Sequence, residues 1–247
     1  MIFRSGNINS GEKKNLLALF YRCFSGSYYT KTLAKDIRTH LLEKQLLPLL
    51  QKFPERCLFF QKNTEITAAL IYAKNCNFSH FIEHSGKQKY GSLLYLCTDE
   101  KYRRRRLASR LVREAEKIFR SETIGSCHVS AELANHTAVS FYESLGYKKI
   151  QIICQAQKIL SGDSGKIMNI FRHNKTYTAR EIRCGRPWLI MHIAENSIPV
   201  SAEDFKDCVL AEVSFKKKNE MAAALLAENG FTAVNETVMF EKNLKNK

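Results

Sequence analysis

The chain lacks several of the patterns that would declare a function at once. It has no C-x-x-C pair and no clustered cysteine and histidine spacing, which excludes a zinc finger or ribbon and leaves no expected metal site. No apolar run approaches the roughly 18 residues a membrane helix needs. The opening "MIFRSGNINSGEKK" has no basic stretch leading into an apolar core, so neither a secretory signal nor membrane association is expected. RNP-type aromatic motifs and Gly-x-x-Gly clamps are absent too, so nothing specific to RNA accompanies the basic runs. Acid is in deficit: 24 Asp+Glu stand against 39 Lys+Arg, a formal net charge of +15 at pH 7. That field repels free polyamines and favours acidic proteins, nucleic acid or phosphorylated small molecules.

What is present is a foldable composition, 45% hydrophobic and 11% aromatic over 247 residues, long enough for a substantial core. Of the eight cysteines, Cys57, Cys97 and Cys208 sit in apolar runs, where a reduced thiol acts as a small hydrophobe. A reducing, cytoplasmic setting is therefore expected.

Periodicity predicts a strand at "MIFRS" and an amphipathic helix in "GEKKNLLALFYRCF", carrying Leu16, Leu17, Phe20, Tyr21 and Phe24. A second helix is expected in "TKTLAKDIRTHLLEKQLLPLLQKF", ended or kinked at Pro48. Two strands, Cys57 to Phe60 and Ile66 to Ala73, flank the turn "QKNTE", and "SLLYLC" follows a polar loop. Next comes a helix with Leu107, Leu111, Ala115, Ile118 and Phe119 on one face, and Arg110, Arg113, Glu114, Glu116 and Lys117 on the others. The strand "GSCHVSA", the helix "NHTAVSFYESLG" with Gly146 as its C-terminal stop, and the strand "YKKIQIICQAQKI" complete a first domain, 1–160. The small residues "SGDSG" suit a linker to a shorter second unit, 161–247. A shift of 84 residues sets Ser130 on Ser214, Asn135 on Asn219, Ala138 on Ala222, Gly146 on Gly230, Tyr147 on Phe231 and Lys158 on Lys242. The second unit thus reads as a truncated copy, without a counterpart of the arginine-rich turn.

That turn, "TDEKYRRRRLASRLV", carries Arg103, Arg104, Arg105 and Arg106 between a strand and a helix. The first N–H groups of a helix have no internal acceptor and the helix dipole adds positive charge there, so the place is a ready anion site. Guanidinium groups add charge-assisted bonds to phosphate, and Ser109 contributes a hydroxyl.

With this motif the sequence resembles the GNAT superfamily of acyl-CoA-dependent N-acyltransferases. The family writes R/Q-x-x-G-x-G/A after a strand, often within text such as "VDPEYRRRGIA". Here Tyr102, Arg103, Arg104, Arg105 and Ala108 match, and Arg106 stands where glycine is usual. A second family signature follows as Asn135, Ala138, Phe141, Tyr142, Leu145, Gly146 and Tyr147. The resemblance implies an α/β fold, a mixed central sheet flanked by helices, with 161–247 as a smaller GNAT-like half. It implies acetyl-CoA or another acyl-CoA as cofactor. The pyrophosphate would lie on the amides of Arg103, Arg104, Arg105, Arg106, Leu107 and Ala108, beside Ser109, and the pantetheine would run along Leu96, Cys97 and Thr98. Asn135 would contact the cofactor and Tyr142 would protonate the departing thiolate. The acceptor is an amine of a small molecule or a protein. Asp99, Glu100, Glu132, a water or a backbone carbonyl are open candidates for the base. Two other readings stand beside this one: a catalytically degenerate GNAT-like binding protein, and a basic nucleic-acid-binding protein.

Overall fold

The computed structural model describes residues 1–6, 8–24, 49–74, 89–159, 176–183, 186–193 and 210–245. The expected helix across 30–53 lies outside the described residues except for 49–52, which are helical, and so does the expected linker at 161–165.

The strands are β1 (Ile2–Ser5), β2 (Cys57–Lys62), β3 (Glu65–Lys74), β4 (Tyr90–Thr98), β5 (Ser126–Glu132), β6 (Lys148–Ile159), β7 (Thr176–Arg183), β8 (Arg186–Ile193), β9 (Leu210–Lys216) and β10 (Thr232–Asn243). They form one ten-stranded sheet in the order β1-β2-β3-β4-β5-β10-β6-β9-β8-β7. The helices are α1 (Ser10–Phe24), α2 (Leu107–Ser121), α3 (His136–Ser144) and α4 (Glu220–Glu228). This is the mixed, helix-flanked sheet expected, with β7 an addition that periodicity did not reveal.

Helix α1 starts in a reciprocal cap: Asn9 Oδ1 accepts the Glu12 N–H at 2.8 Å, and Glu12 Oε2 accepts that of Asn9 at 3.0 Å. Its Leu16, Leu19 and Phe20 are buried on one face of the sheet with Cys57, Phe59, Ile66, Ala69, Ile71 and Cys97. On the opposite face α2 buries Leu107, Leu111, Val112, Ala115 and Phe119 against Leu58, Phe60, Leu70, Leu93 and Val129. Gly91 makes that approach possible, because a Cβ there would stand 2.5 Å from the Phe119 ring.

One residue of α2 departs from the expected pattern. Glu116, assigned by periodicity to the polar surface, is 3% exposed. It accepts from Lys242 Nζ at 2.9 and 3.0 Å, from the Tyr147 hydroxyl at 3.1 Å and from Arg120 at 3.4 Å. A carboxylate enters the core only with partners of this kind, and three of the four bonds come from residues distant in sequence.

The segments before and after residue 160 share the sheet. β10 lies between β5 and β6, antiparallel to both. The 84-residue shift carries β5 onto β9, α3 onto α4 and β6 onto β10, residue for residue at both ends of each element. It also governs the pairing. Ile153 faces Thr237, its own shifted equivalent, while Glu132 faces Thr237 and Lys216 faces Ile153. Even the irregularities correspond, since the β6–β10 register skips Ile150 on one strand and Val234 on the other. Asn135 and Asn219 each cap a helix, accepting from Ala138 and Ala222 at 3.1 Å. Gly146 and Gly230 both take φ above +70°, the left-handed stop expected of them.

Candidate functional site

The site is built where β4 and β5 separate. The two strands run parallel and pair from Tyr90↔Ser126 to Leu93↔Val129, and no further. Immediately afterwards β4 has one residue, Leu94, in excess over β3, between the pairs Ile71↔Tyr95 and Tyr72↔Leu93. Such a bulge bends its strand, and β5 stays paired to β10 through Glu132, so β4 is the strand that turns away. The edge of residues 94–98 that faces β5 is left without a strand partner, among them Leu96, Cys97 and Thr98. Thr98 Oγ1 is buried there with no hydrogen-bond partner.

β4 does not pass directly into α2 as the pattern suggested. A 3-10 turn, Glu100–Tyr102, intervenes, capped by Asp99, whose carboxylate accepts the Lys101 N–H at 3.1 Å. The Arg103 N–H is consumed in this turn by the Glu100 carbonyl at 3.2 Å, so it is withdrawn from the expected amide cradle. Among the described residues no backbone acceptor takes the N–H groups of Arg104, Arg105, Arg106, Leu107, Ala108 or Ser109. The cradle is therefore Arg104 to Ser109.

Arg106, at the position usually held by glycine, takes the left-handed conformation, φ 58° and ψ 17°, as the residue preceding α2. Arg104 does the same at φ 62°. The backbone thus keeps a glycine-like path with side chains that resist it. Arg106→Gly is expected to stabilise the protein by about 1 kcal/mol, read as a shift of the urea midpoint at unchanged m.

Arg106, Ser109, Arg110 and Arg113 line a cleft of about 440 Å³ together with Ser144 and Leu145 from the end of α3. It holds three guanidinium groups and no carboxylate. Arg110 and Arg113 are additions to the expected set. Helical spacing of 106, 109, 110 and 113 puts them on one face, a signal available in the sequence but masked by reading both arginines as ordinary solvent-facing charge. Arg110 also lies 4.6 Å over the Phe60 ring, and Arg105 5.4 Å over that of Tyr102.

The remaining expected residues fall as follows. Asn135 is exposed and its Oδ1 is engaged as the α3 cap. Tyr142 is 6% exposed, packed among Phe141, Tyr147 and Phe240, and its hydroxyl has no hydrogen-bond partner among the described residues. Burial, helped by Cys127, pushes its phenol well above the ordinary range. Asp99 is tied to Arg22 at 2.7 Å. Burial pushes its carboxyl up, but the bonds from Arg22 and the Lys101 N–H outweigh it and hold the group below the usual carboxylate range. A carboxylate committed in this way is a weak base.

A thiol absent from the expected set also lies here. Cys23, at the end of α1, lies 3.5 Å from the Thr98 carbonyl. A hydrogen bond with Cys97 lowers its pKa, against the opposing effect of burial, and Arg103 adds to the lowering.

The chain matches a family model described as "Acetyltransferase (GNAT) family" over residues 14–147. No curated protein matches it. Solved structures share its fold over 98% of its length. A GCN5-related N-acetyltransferase from Sphaerobacter thermophilus is 10% identical, with TM-score 0.63 and 95% of that chain covered. A protein designated an acetyltransferase from Pyrococcus horikoshii is 11% identical, with TM-score 0.62 and 89% covered. Another so designated, from Thermoplasma acidophilum, is 13% identical, with TM-score 0.58 and 100% covered.

Proposed function

The chain belongs to the GNAT acetyltransferase family, and from that premise we propose that it moves an acyl group, acetyl foremost, from an acyl-CoA thioester to an amine of a small molecule or protein. Acyl-CoA supplies the activated carbonyl and a thiolate leaving group. The observation that carries the reading is the open edge of β4 beside an arginine-lined cleft, which together suit a ligand with an amide-bearing arm and a polyanionic end.

The chain's own groups divide the work. The N–H groups of Arg104 to Ser109 and the side chains of Arg106, Arg110 and Arg113 bind the phosphates. Leu94 to Thr98 offer the free backbone groups of a strand edge to the arm, with Thr98 Oγ1 as an unmet polar atom beside them. Tyr142, kept protonated by burial, donates its phenolic proton to the departing sulfur.

Residues 176–243 extend the proposal. We read them as a duplicated half that has exchanged its last strand with the first, consistent with the 84-residue correspondence. Its cleft is closed: β8 and β9 pair from Trp188↔Leu210 through Ile193↔Phe215, whereas β5 has already parted from β4 at Ala131, the equivalent of Phe215. One acyl-CoA per chain is the corresponding stoichiometry.

Calorimetry with acetyl-CoA tests the reading. Binding of one equivalent is expected, weakened about tenfold or more by Arg113→Ala, the loss of one charge-assisted bond. Absence of binding ends the proposal. Tyr142→Phe should lower turnover while leaving affinity unchanged.

A further inference from the structure

The face of the sheet opposite α2 and α3 carries a polar row. Ser92 on β4 is in register with His128 on β5, and His128 with Glu241 on β10. Leu93, Cys127, Val129 and Phe240 point into the core beneath α2, so these three, next to them in their strands, point the other way. Ser92 is 1% exposed and its hydroxyl has no partner among the described residues. His128 is 2% exposed, with Nε2 3.1 Å from Glu241 Oε1. The Glu241 side chain is 42% exposed. The row thus begins one residue from the last β4–β5 pair and ends in solvent. The other groups around His128 are the Tyr90 ring at 5.6 Å, Glu132 four residues along its own strand, and Lys148, which faces Glu241 from β6.

The second half provides an internal comparison. Shifted by 84 residues, His128 becomes Glu212, and the residue taking the place of Glu241 is Gln157, which donates to Glu212 at 2.9 Å. The β8 residue in register with Glu212 is Ile190. Where the cleft is closed the row survives as a hydrogen bond but has lost its hydroxyl and its imidazole. Where the cleft is open it is serine, histidine and glutamate.

Resting on the acyl-transfer reading above, the geometry points to Ser92, His128 and Glu241 as the path by which a cationic acceptor amine loses its proton before attack. Packed side chains under α2 and α3 fill one face, so an acceptor reaches the fork from the other, where Ser92 stands. An ammonium cannot attack a carbonyl until its nitrogen lone pair is released. Ser92 Oγ takes that proton and passes its own to the imidazole. His128 accepts it on one ring nitrogen and gives up the proton it shares with Glu241, which releases it to water. The net change is one proton moved from R–NH₃⁺ to solvent. The acceptor class is an amine that is protonated at neutral pH. His128 is a relay residue and holds no part of the cofactor.

Two probes separate this from a structural role: a peptide mixture bearing free α- and lysine amines, and hydroxylamine, which is already neutral at pH 7. With acetyl-CoA as donor, His128→Gln should slow transfer to the peptides about a hundredfold at pH 7. The rate should recover as pH rises toward the pKa of the lysine amine, about 10.4. Transfer to hydroxylamine and the affinity for acetyl-CoA should stay within twofold. Glu241→Gln, a change at a surface-reaching carboxylate, should give the same pattern at smaller amplitude and serves if the histidine variant misfolds. A peptide rate and pH profile unchanged in both variants overturns the relay, as does equal loss with both probes. Wild-type protein that binds acetyl-CoA but acetylates neither probe overturns acyl transfer itself, and the relay with it. Protein that binds no acetyl-CoA removes the cofactor reading first.

Discussion

Residues 1–160 expressed alone are expected not to fold. The boundary looks natural in sequence, since every element of the resemblance precedes it. Yet the strand that completes the first core is β10, more than 70 residues further on. Val238 and Phe240 are fully buried, Leu244 is 4% exposed, and all three belong to the cluster that includes Leu111, Phe119, Val129 and Tyr142. Truncating one buried phenylalanine costs about 3–5 kcal/mol, against a total stability of about 5–15 kcal/mol for a domain. Losing the whole strand also strips the pairing edges of β5 and β6 and removes Lys242 from Glu116. Circular dichroism and amide NMR of the fragment should show a collapsed or unfolded chain. A fragment with dispersed amide signals and a cooperative melt would mean that β10 is dispensable.

Lys242→Met is expected to destabilise the full chain by about 3 kcal/mol. The Glu116 side chain is 4% exposed, and Lys242 is its closest cationic partner; Arg120 is more distant at 3.4 Å. Removing one member of such a pair leaves a carboxylate in the core without its counter-charge, which costs about 3–5 kcal/mol. The low end applies because the Tyr147 hydroxyl and Arg120 remain. For a chain of this size the midpoint of melting should fall by about 6–12 °C. Adding Glu116→Leu to Lys242→Met should return much of the loss, because replacing both charges removes the desolvation cost as well. A double variant no more stable than the single one would show that packing of the lysine stem, and not the uncompensated charge, sets the penalty.

These two expectations mark where local reading of the chain stops. Apolar spacing in "LASRLVREAEKIF" established α2 and most of its buried face, because a helix displays its periodicity whatever it packs against. It placed Glu116 outside, because the residues that receive it, Tyr147 and Lys242, are 31 and 126 positions away. Likewise Asn135, Gly146 and their shifted equivalents were legible as helix stops and caps, which depend on neighbours within four residues.

The site divides along the same line. Sequence alone determined the arginine turn, the strand before it and the helix after it, since the chemistry of a helix N-terminus is local. It also determined the second motif from Asn135 to Tyr147 and, through a constant shift of 84 residues, the correspondence between β5-α3-β6 and β9-α4-β10. Tertiary structure decided which amides are free, because only the 3-10 turn withdraws that of Arg103. It decided that Arg106 adopts the left-handed conformation rather than breaking the cradle, since the strand and helix on either side fix the path between them. And it alone brought Ser92, His128 and Glu241 into one row. Strand pairing is a long-range choice: β10 reaches β5 and β6 by pairing across the sheet, and no residue's immediate neighbours record where a strand more than a hundred positions away will come to lie.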